Sequence, residues 1–537
     1  MPLSRLTKLA LAVSLVASAA APTAAFATPD PAATKPAHPV VAKRTAAAAQ
    51  ALDAVTAAFA RSDRTTARPT VAEGELTQQL LQLRLGFDEL SPQEQQVARA
   101  YLARPTDGSE YYGANYAKSA RPTNDCVENP TPGSHVCVHW ARETADAPNL
   151  ADEDEDGLPD QVEQTRAQMN LVWGRIVESG GYDAPLPDDK GPDNKLDVYL
   201  VDIGGDGLYG YCGSEGVGAG RAAAAYCVLD DDYAKRQFPD HTRLGNLQVT
   251  AAHEFFHAVQ FAYDVREDPW LMESTATWVE DEIFDDVNDN LFYLPSSVMS
   301  APHKSLDLST GTFYYGNWIW WRYLTERFDH EGGTALPLLV REVWEAADNS
   351  DNDGTWSMKA LAEVLEGEGH SLSSVYADFS STNRRPADFY EEGTNYVKAP
   401  LSKAFKLTAS RTSVDLRTPL LPHMSSTTVA FVPKSGYDDP AWKLRVDVDL
   451  PNSGHEPSAL VTIVGIDGAV VDQEYFGLSS DGKGAVQVPF SSTAVRRVEL
   501  TLTNGDHSYD CGEGTRWSCR GVPDKKRSFA FSVTATQ

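Results

Sequence analysis

His253-Glu254-Phe255-Phe256-His257 sets two imidazoles four residues apart, with a carboxylate beside the first. On a helix, residues four apart share a face, so both rings can reach one Zn²⁺. Leu247 to Tyr263 is an apolar run without proline, which predicts that helix. Glu254 then stands where it can take a proton from a zinc-bound water, as in amide hydrolysis without a covalent intermediate. Burying these three polar groups in an apolar helix would be costly without a ligand.

Two His ligands need a third. Asp268-Pro269 breaks the chain, and Trp270-Leu-Met-Glu-Ser-Thr-Ala-Thr-Trp278 predicts a new helix. Glu273 falls in its first turn, facing back to the first helix. Two His, a Glu and an open fourth position form a catalytic zinc arrangement. Glu280 lies two turns later on a similar face. It is a second candidate, as ligand or as acceptor for a ligand His N–H; as a plain solvated acid it would be neither.

H-E-F-F-H followed by W-L-M-E-S-T-A-T-W resembles the gluzincin clan of zinc peptidases. Its aminopeptidase N-like members carry W-L-N-E-G-F-A in the equivalent place. The resemblance implies His253, His257 and Glu273 as zinc ligands and Glu254 as base. The chain is more similar still to a family of secreted bacterial metalloproteases. They share an Asp-rich D-x-D-x-D-G loop, an H-E-F-F-H-x-x-Q-F-x-Y-D helix and a downstream Y-G-x-W-x-x-W segment, across roughly residues 120 to 330. The spacing from His257 to Glu273 is shorter than in the aminopeptidases, and G-x-M-E-N is absent, which favours an endopeptidase. The resemblance also implies a Tyr near the downstream helix as donor to the tetrahedral oxyanion. Tyr314 and Tyr315 are the candidates, with Tyr315 preferred. Both also read as aromatic packing on Trp318, Trp320 and Trp321.

Asp152-Glu-Asp154-Glu-Asp156-Gly157-Leu158-Pro-Asp160-Gln-Val-Glu163 fits the EF-hand pattern. Asp152, Asp154, Asp156, Asp160 and Glu163 supply carboxylates, Leu158 a backbone carbonyl, and Gly157 the sharp turn. A helix is expected after the loop and none before it. The expected ion is a structural Ca²⁺. Asp188, Asp189, Asp193, Asp197, Asp202 and Asp206 are further acidic candidates for a second Ca²⁺, though at no fixed spacing, and Asp230-Asp231-Asp232 reads as a loop charge run. His135, His139 and His241 read as ordinary surface or core residues.

The elements that must position these groups are legible in outline. Val136 to Trp140, Leu196 to Ile203 and Ala224 to Leu229 read as strands, and residues 161 to 179 as a helix. Residues 316 to about 390 are helical. Beyond Pro400, short alternating runs such as Lys443 to Leu450 and Ala459 to Val464 predict a β-sandwich. The expected class is α+β: a zincin-like two-lobed domain with a mixed-sheet N-lobe and a helical C-lobe, then an all-β sandwich. The division is 1–27 signal peptide, 28–120 leader and helical prosegment or N-terminal subdomain, 121–400 metallopeptidase, and 401–537 sandwich.

With 537 residues the chain needs several units, and a net charge of -30 argues against nucleic-acid binding. Arg5 and Lys8, an apolar Leu9–Ala21 stretch and Ala25-Phe26-Ala27 read as a secretory signal, with no later run able to span a membrane. Six cysteines in three close pairs (126/137, 212/227, 511/519) suit disulfides in an exported protein. The expected product is a secreted zinc endopeptidase acting on protein or peptide, with surface or polymer contact through the sandwich. The alternative is a calcium-stabilised extracellular binding or adhesion protein whose zinc site is vestigial.

Overall fold

A computed structural model of the chain describes residues 39–59, 76–107, 123–128, 130–187, 190–216, 221–328, 336–350, 355–507 and 526–537. The predicted signal segment, Asp188, Asp189, Cys511 and Cys519 lie outside them.

Helices α1 (Pro39–Phe59), α2 (Leu76–Gly86) and α3 (Pro92–Tyr101) come first. The Ser91 hydroxyl accepts from the Glu94 N–H, the Glu94 carboxylate accepts from the Ser91 N–H, and Pro92 needs no N–H at the first position. That capping box fixes where α3 starts.

A sheet of order β1-β2-β3-β5-β4 follows. Its strands are β1 (Thr123–Asn124), β2 (Val136–Trp140), β3 (Leu196–Val201), β4 (Gly210–Ser214) and β5 (Ala225–Asp230). β2, β3 and β5 run parallel; β1 and β4 are antiparallel edges. The alternation in β2 predicts one polar face, yet the whole strand is buried. Both sheet faces are covered, as parallel strands require. Val136, Val138 and Trp140 join a core with Val162, Met169 and Val172 of α4 (Asp160–Trp173). On the opposite face Tyr199, Val201, Tyr226 and Val228 pack with Val55 and Phe59 of α1 and Leu80 and Leu83 of α2. The leader segment thus completes this sheet's core. A disulfide, Cys212–Cys227, crosses β4 and β5 at directly paired positions, and Cys126–Cys137 ties the start of the sheet.

Two helices then carry the chemical motifs. α5 (Arg243–Tyr263) starts at Thr242, whose hydroxyl accepts from the Gly245 N–H. α6 (Pro269–Phe284) starts at Asp268, whose carboxylate accepts from the Trp270 N–H, with Pro269 next. Both are N-cap signals readable in the sequence. The helical lobe continues through α7 (Trp318–Phe328), α8 (Leu338–Ala346), α9 (Ser357–Gly367) and α10 (Leu372–Thr382).

The C-terminal region is two antiparallel-rich sheets face to face. One has five strands: β6 (Lys403–Leu407), β8 (Ser425–Pro433), β10 (Pro457–Gly465), β11 (Val470–Tyr475) and β13 (Val495–Asn504). The other has β7 (Ser413–Arg417), β9 (Lys443–Asp449), β12 (Lys483–Pro489) and β14 (Ala530–Thr536). Phe431, Val461 and Leu500 meet Val446, Val488 and Val533 between them. The class is α+β, with a sandwich as the last unit. Where sandwich meets helical lobe, the buried Glu499 takes Arg385 at 2.8 Å, Arg497 at 2.7 Å and Arg384 at 3.4 Å.

Candidate metal centre

α5 and α6 lie against each other and bring His253, His257 and Glu273 together. One ligand atom from each lies within 4.8 Å of the others. His253 Nε2 is 3.3 Å from Glu273 Oε2, and His257 Nε2 is 3.5 Å from Glu273 Oε1. Ligand atoms at zinc bond lengths on one tetrahedral ion stand about 3.3–3.5 Å apart. His257 Nε2 and Glu273 Oε1 are both buried without a hydrogen-bond partner. Such orphaned buried atoms are uncommon in finished structures. Donor type, spacing and orphaned atoms therefore all fit zinc.

The rings are aimed by their other nitrogens. His253 Nδ1 is 2.6 Å from Glu280 Oε1, and His257 Nδ1 is 2.7 Å from Gln260 Oε1. Gln260 is held in turn, donating to the Met272 carbonyl at 2.9 Å and to Thr275 Oγ1 at 3.1 Å. Partners of this kind fix the tautomer and present Nε2 to the site. Glu280 is not a solvated acid: it is 5% exposed, and burial pushes its carboxyl up to about 8 against the pull of His253. Its contact is with His253 Nδ1, while His253 Nε2 faces Glu273.

Burial works to raise the Glu273 carboxyl, but the His257 and His253 imidazoles outweigh it and hold it well below the usual range. Burial raises the Glu254 carboxyl, with both imidazoles opposing. Glu254 sits where β4 presses on α5. A Cβ at Gly210 would lie 2.7 Å from Thr250 Cγ2 and 3.1 Å from Glu254 Cγ, so only glycine lets the strand approach this closely.

Tyr315 lies beside the cluster. Its ring stacks on His253 at 5.8 Å between centroids, and its hydroxyl bonds the Glu273 carboxylate. Tyr314 packs on Tyr315 at 4.9 Å. Tyr293, which the sequence did not single out, stacks on Tyr315 at 5.2 Å. Gly316 permits this: a Cβ there would meet the Tyr293 carbonyl at 2.4 Å.

Two further site residues went unread. Gln260, three residues past His257 on the same helix face, could have been found by that spacing. Thr77 could not, because nothing marks it in the leader. Its hydroxyl donates to Glu254 Oε2 at 3.1 Å and accepts from the Cys212 N–H of edge strand β4 at 2.9 Å. Beside it, Gln78 reaches Met272.

The Asp-rich loop is followed by α4, with no helix just before it. The Asp152, Asp154 and Asp156 carboxylates converge within 4.8 Å. Asp152 accepts from the N–H groups of Asp156 and Gly157, and Asp160 from that of Glu153. Gly157 takes φ +95° at the turn, and the Leu158 side chain anchors the loop in the core. Partial burial together with Asp156, Asp154 and Asp160 raises the Glu163 carboxyl, which Arg166 opposes. The all-oxygen donors fit Ca²⁺. Of the scattered acids, Asp197 is taken by Arg104 and His139. The run Asp230–Asp232 is not a free loop: Asp230 ends β5 at 0% exposure and Asp231 is 7% exposed.

No protein-family model matches the chain, and no curated protein does. Among solved structures it is similar to CorA, a surface-associated copper-binding protein important in Methylomicrobium album BG8 copper acquisition. Identity is 11% over 25% of this chain and 98% of that chain, with a TM-score of 0.16, too low to carry an argument. Among the described residues, no helix is long and apolar enough to cross a membrane.

Proposed function

We propose that the chain is a secreted, gluzincin-like zinc endopeptidase made in a latent form. The observation that carries this reading is the convergence of His253, His257 and Glu273, with Glu254 on the same helix as the two imidazoles. Zinc, when bound, supplies Lewis acidity and lowers the pKa of water toward about 7. Glu254 takes the proton of the attacking water and returns it to the leaving amine. Glu280 and Gln260 keep the imidazoles aimed. Tyr315, whose hydroxyl bonds the Glu273 carboxylate in this form, would turn that hydroxyl to the carbonyl oxygen as charge develops there.

Latency follows from Thr77. Its hydroxyl occupies the proposed base and one N–H of the edge strand, the groups an extended peptide would need. α2 is therefore the plug of this form, and its displacement opens the cleft. The leader acts as a prosegment in this reading. The test is peptide hydrolysis after limited proteolysis, before and after zinc is stripped with a chelator and restored. Activity that follows zinc supports the reading. Hydrolysis unaffected by stripping contradicts it.

A further inference from the structure

Strands β2, β3 and β5 are parallel neighbours, so the residues that follow them emerge at one end of the sheet. Asp146 comes after β2, Asp202 directly after β3, and Asp230 and Asp231 at the end of β5. Oxygens of Asp202, Asp230 and Asp231 lie within 4.8 Å of one another. The geometry points to a second cation site here, holding a hard divalent ion of the calcium type between Asp146, Asp202, Asp230 and Asp231.

The decisive residue is Asp146. It is 5% exposed, and its Oδ2 is buried with no hydrogen-bond partner. Its carboxylate accepts the Asp202 backbone N–H and interacts with the Asp202 charge, while Asp231 feels it together with Asp230, Asp232 and Asp202. Asp146 thus sits against Asp202 with one oxygen unsatisfied. The charges that bear most on Asp231 are all acidic; Arg236 acts on Asp202. A buried carboxylate without a paired cation is costly. Asp230 already accepts from the Gly204 and Tyr233 N–H groups, so it is fixed as a framework oxygen donor. An all-carboxylate set with no nitrogen or sulfur selects Ca²⁺ over zinc.

The ion would pin the turns after three strands. One of them carries Tyr233, which hydrogen-bonds Thr250 of the motif helix and feels the Glu254 charge. The site uses none of the carboxylates of the Asp152–Glu163 loop and does not depend on the peptidase reading.

The test is calorimetric Ca²⁺ titration of the full chain, stripped of calcium and saturated with zinc. Two bound Ca²⁺ are expected. The Asp146→Asn/Asp231→Asn variant should lose one, and Asp152→Asn/Asp154→Asn the other. Should the first variant fail to fold, the second decides alone: with the loop disabled, Ca²⁺ must still bind at one equivalent and raise the melting temperature. Absence of both effects in that variant overturns the site, as does unchanged stoichiometry in a folded Asp146→Asn/Asp231→Asn variant.

Discussion

Glu273 and Glu499 are both buried carboxylates, at 0% and 1% exposure, and they are neutralised in opposite ways. Glu499, at the joint between helical lobe and sandwich, is gripped by Arg384, Arg385 and Arg497. Guanidinium groups fill a carboxylate's acceptor sites and cannot give up their charge. That joint is closed to any other cation. Glu273 faces two imidazoles, which bind metal in their neutral form, and one of its oxygens is unsatisfied. The same buried charge is a fastener in one place and a reserved position in the other.

The sharpest way to break this contrast is to neutralise each acid in turn. Glu273→Gln should abolish zinc retention on dialysis and all hydrolysis. Glu499→Gln should leave zinc content unchanged and cost about 3 kcal/mol of stability, because it strands partly buried arginines. Urea midpoints beside zinc analysis read both. If Glu499→Gln releases zinc, the two regions are not independent.

Thr77 gives the next effect. Displacing α2 by cleavage between residues 107 and 123 should raise hydrolysis by about 10²-fold, as expected if the cleft is open about 1% of the time before cleavage. Rates measured before and after cleavage, with the released fragment removed, decide it. Equal rates would mean that α2 is only a structural cover.

Gln260→Ala and Glu280→Gln leave every proposed ligand in place. Each should weaken zinc affinity by about 10–100-fold through a misaimed imidazole. Competition with a chromophoric chelator measures this, and unchanged affinity would remove both residues from the supporting set.

The smallest effect is in pH. Burial works to raise the Glu499 carboxyl, but Arg385 and its neighbours outweigh it and hold it low. The folded value therefore lies below the unfolded one, about 4.3. The stabilisation is complete above that pH and is lost as pH falls through the lower folded value. Below about pH 4, melting temperature should fall more steeply in wild type than in Glu499→Gln. Parallel curves would show that the arginine clamp does not tune stability.

The parts legible in the sequence share a local signal. Helices α5 and α6 start at caps, Thr242 and Asp268-Pro269, and the metal-ligating types recur at helical spacing. The sandwich strands β9 and β10 are legible as short alternating runs, whereas β11 is exposed along its whole length and carries no buried face to find. Thr77, and the meeting of Asp146 with Asp202, Asp230 and Asp231, were illegible for another reason. They come from separate segments that only strand order and helix packing bring together. Tyr293 reaches Tyr315 through a backbone approach that depends on Gly316.

The central claim is that Glu254 is the base beside a bound zinc. Metal content and casein hydrolysis of the leader-cleaved protein, wild type beside Glu254→Gln, test it most directly. One zinc in each, with hydrolysis lowered about 10³-fold in the variant, is the predicted result. Full activity in Glu254→Gln, or no zinc in either protein, would contradict it.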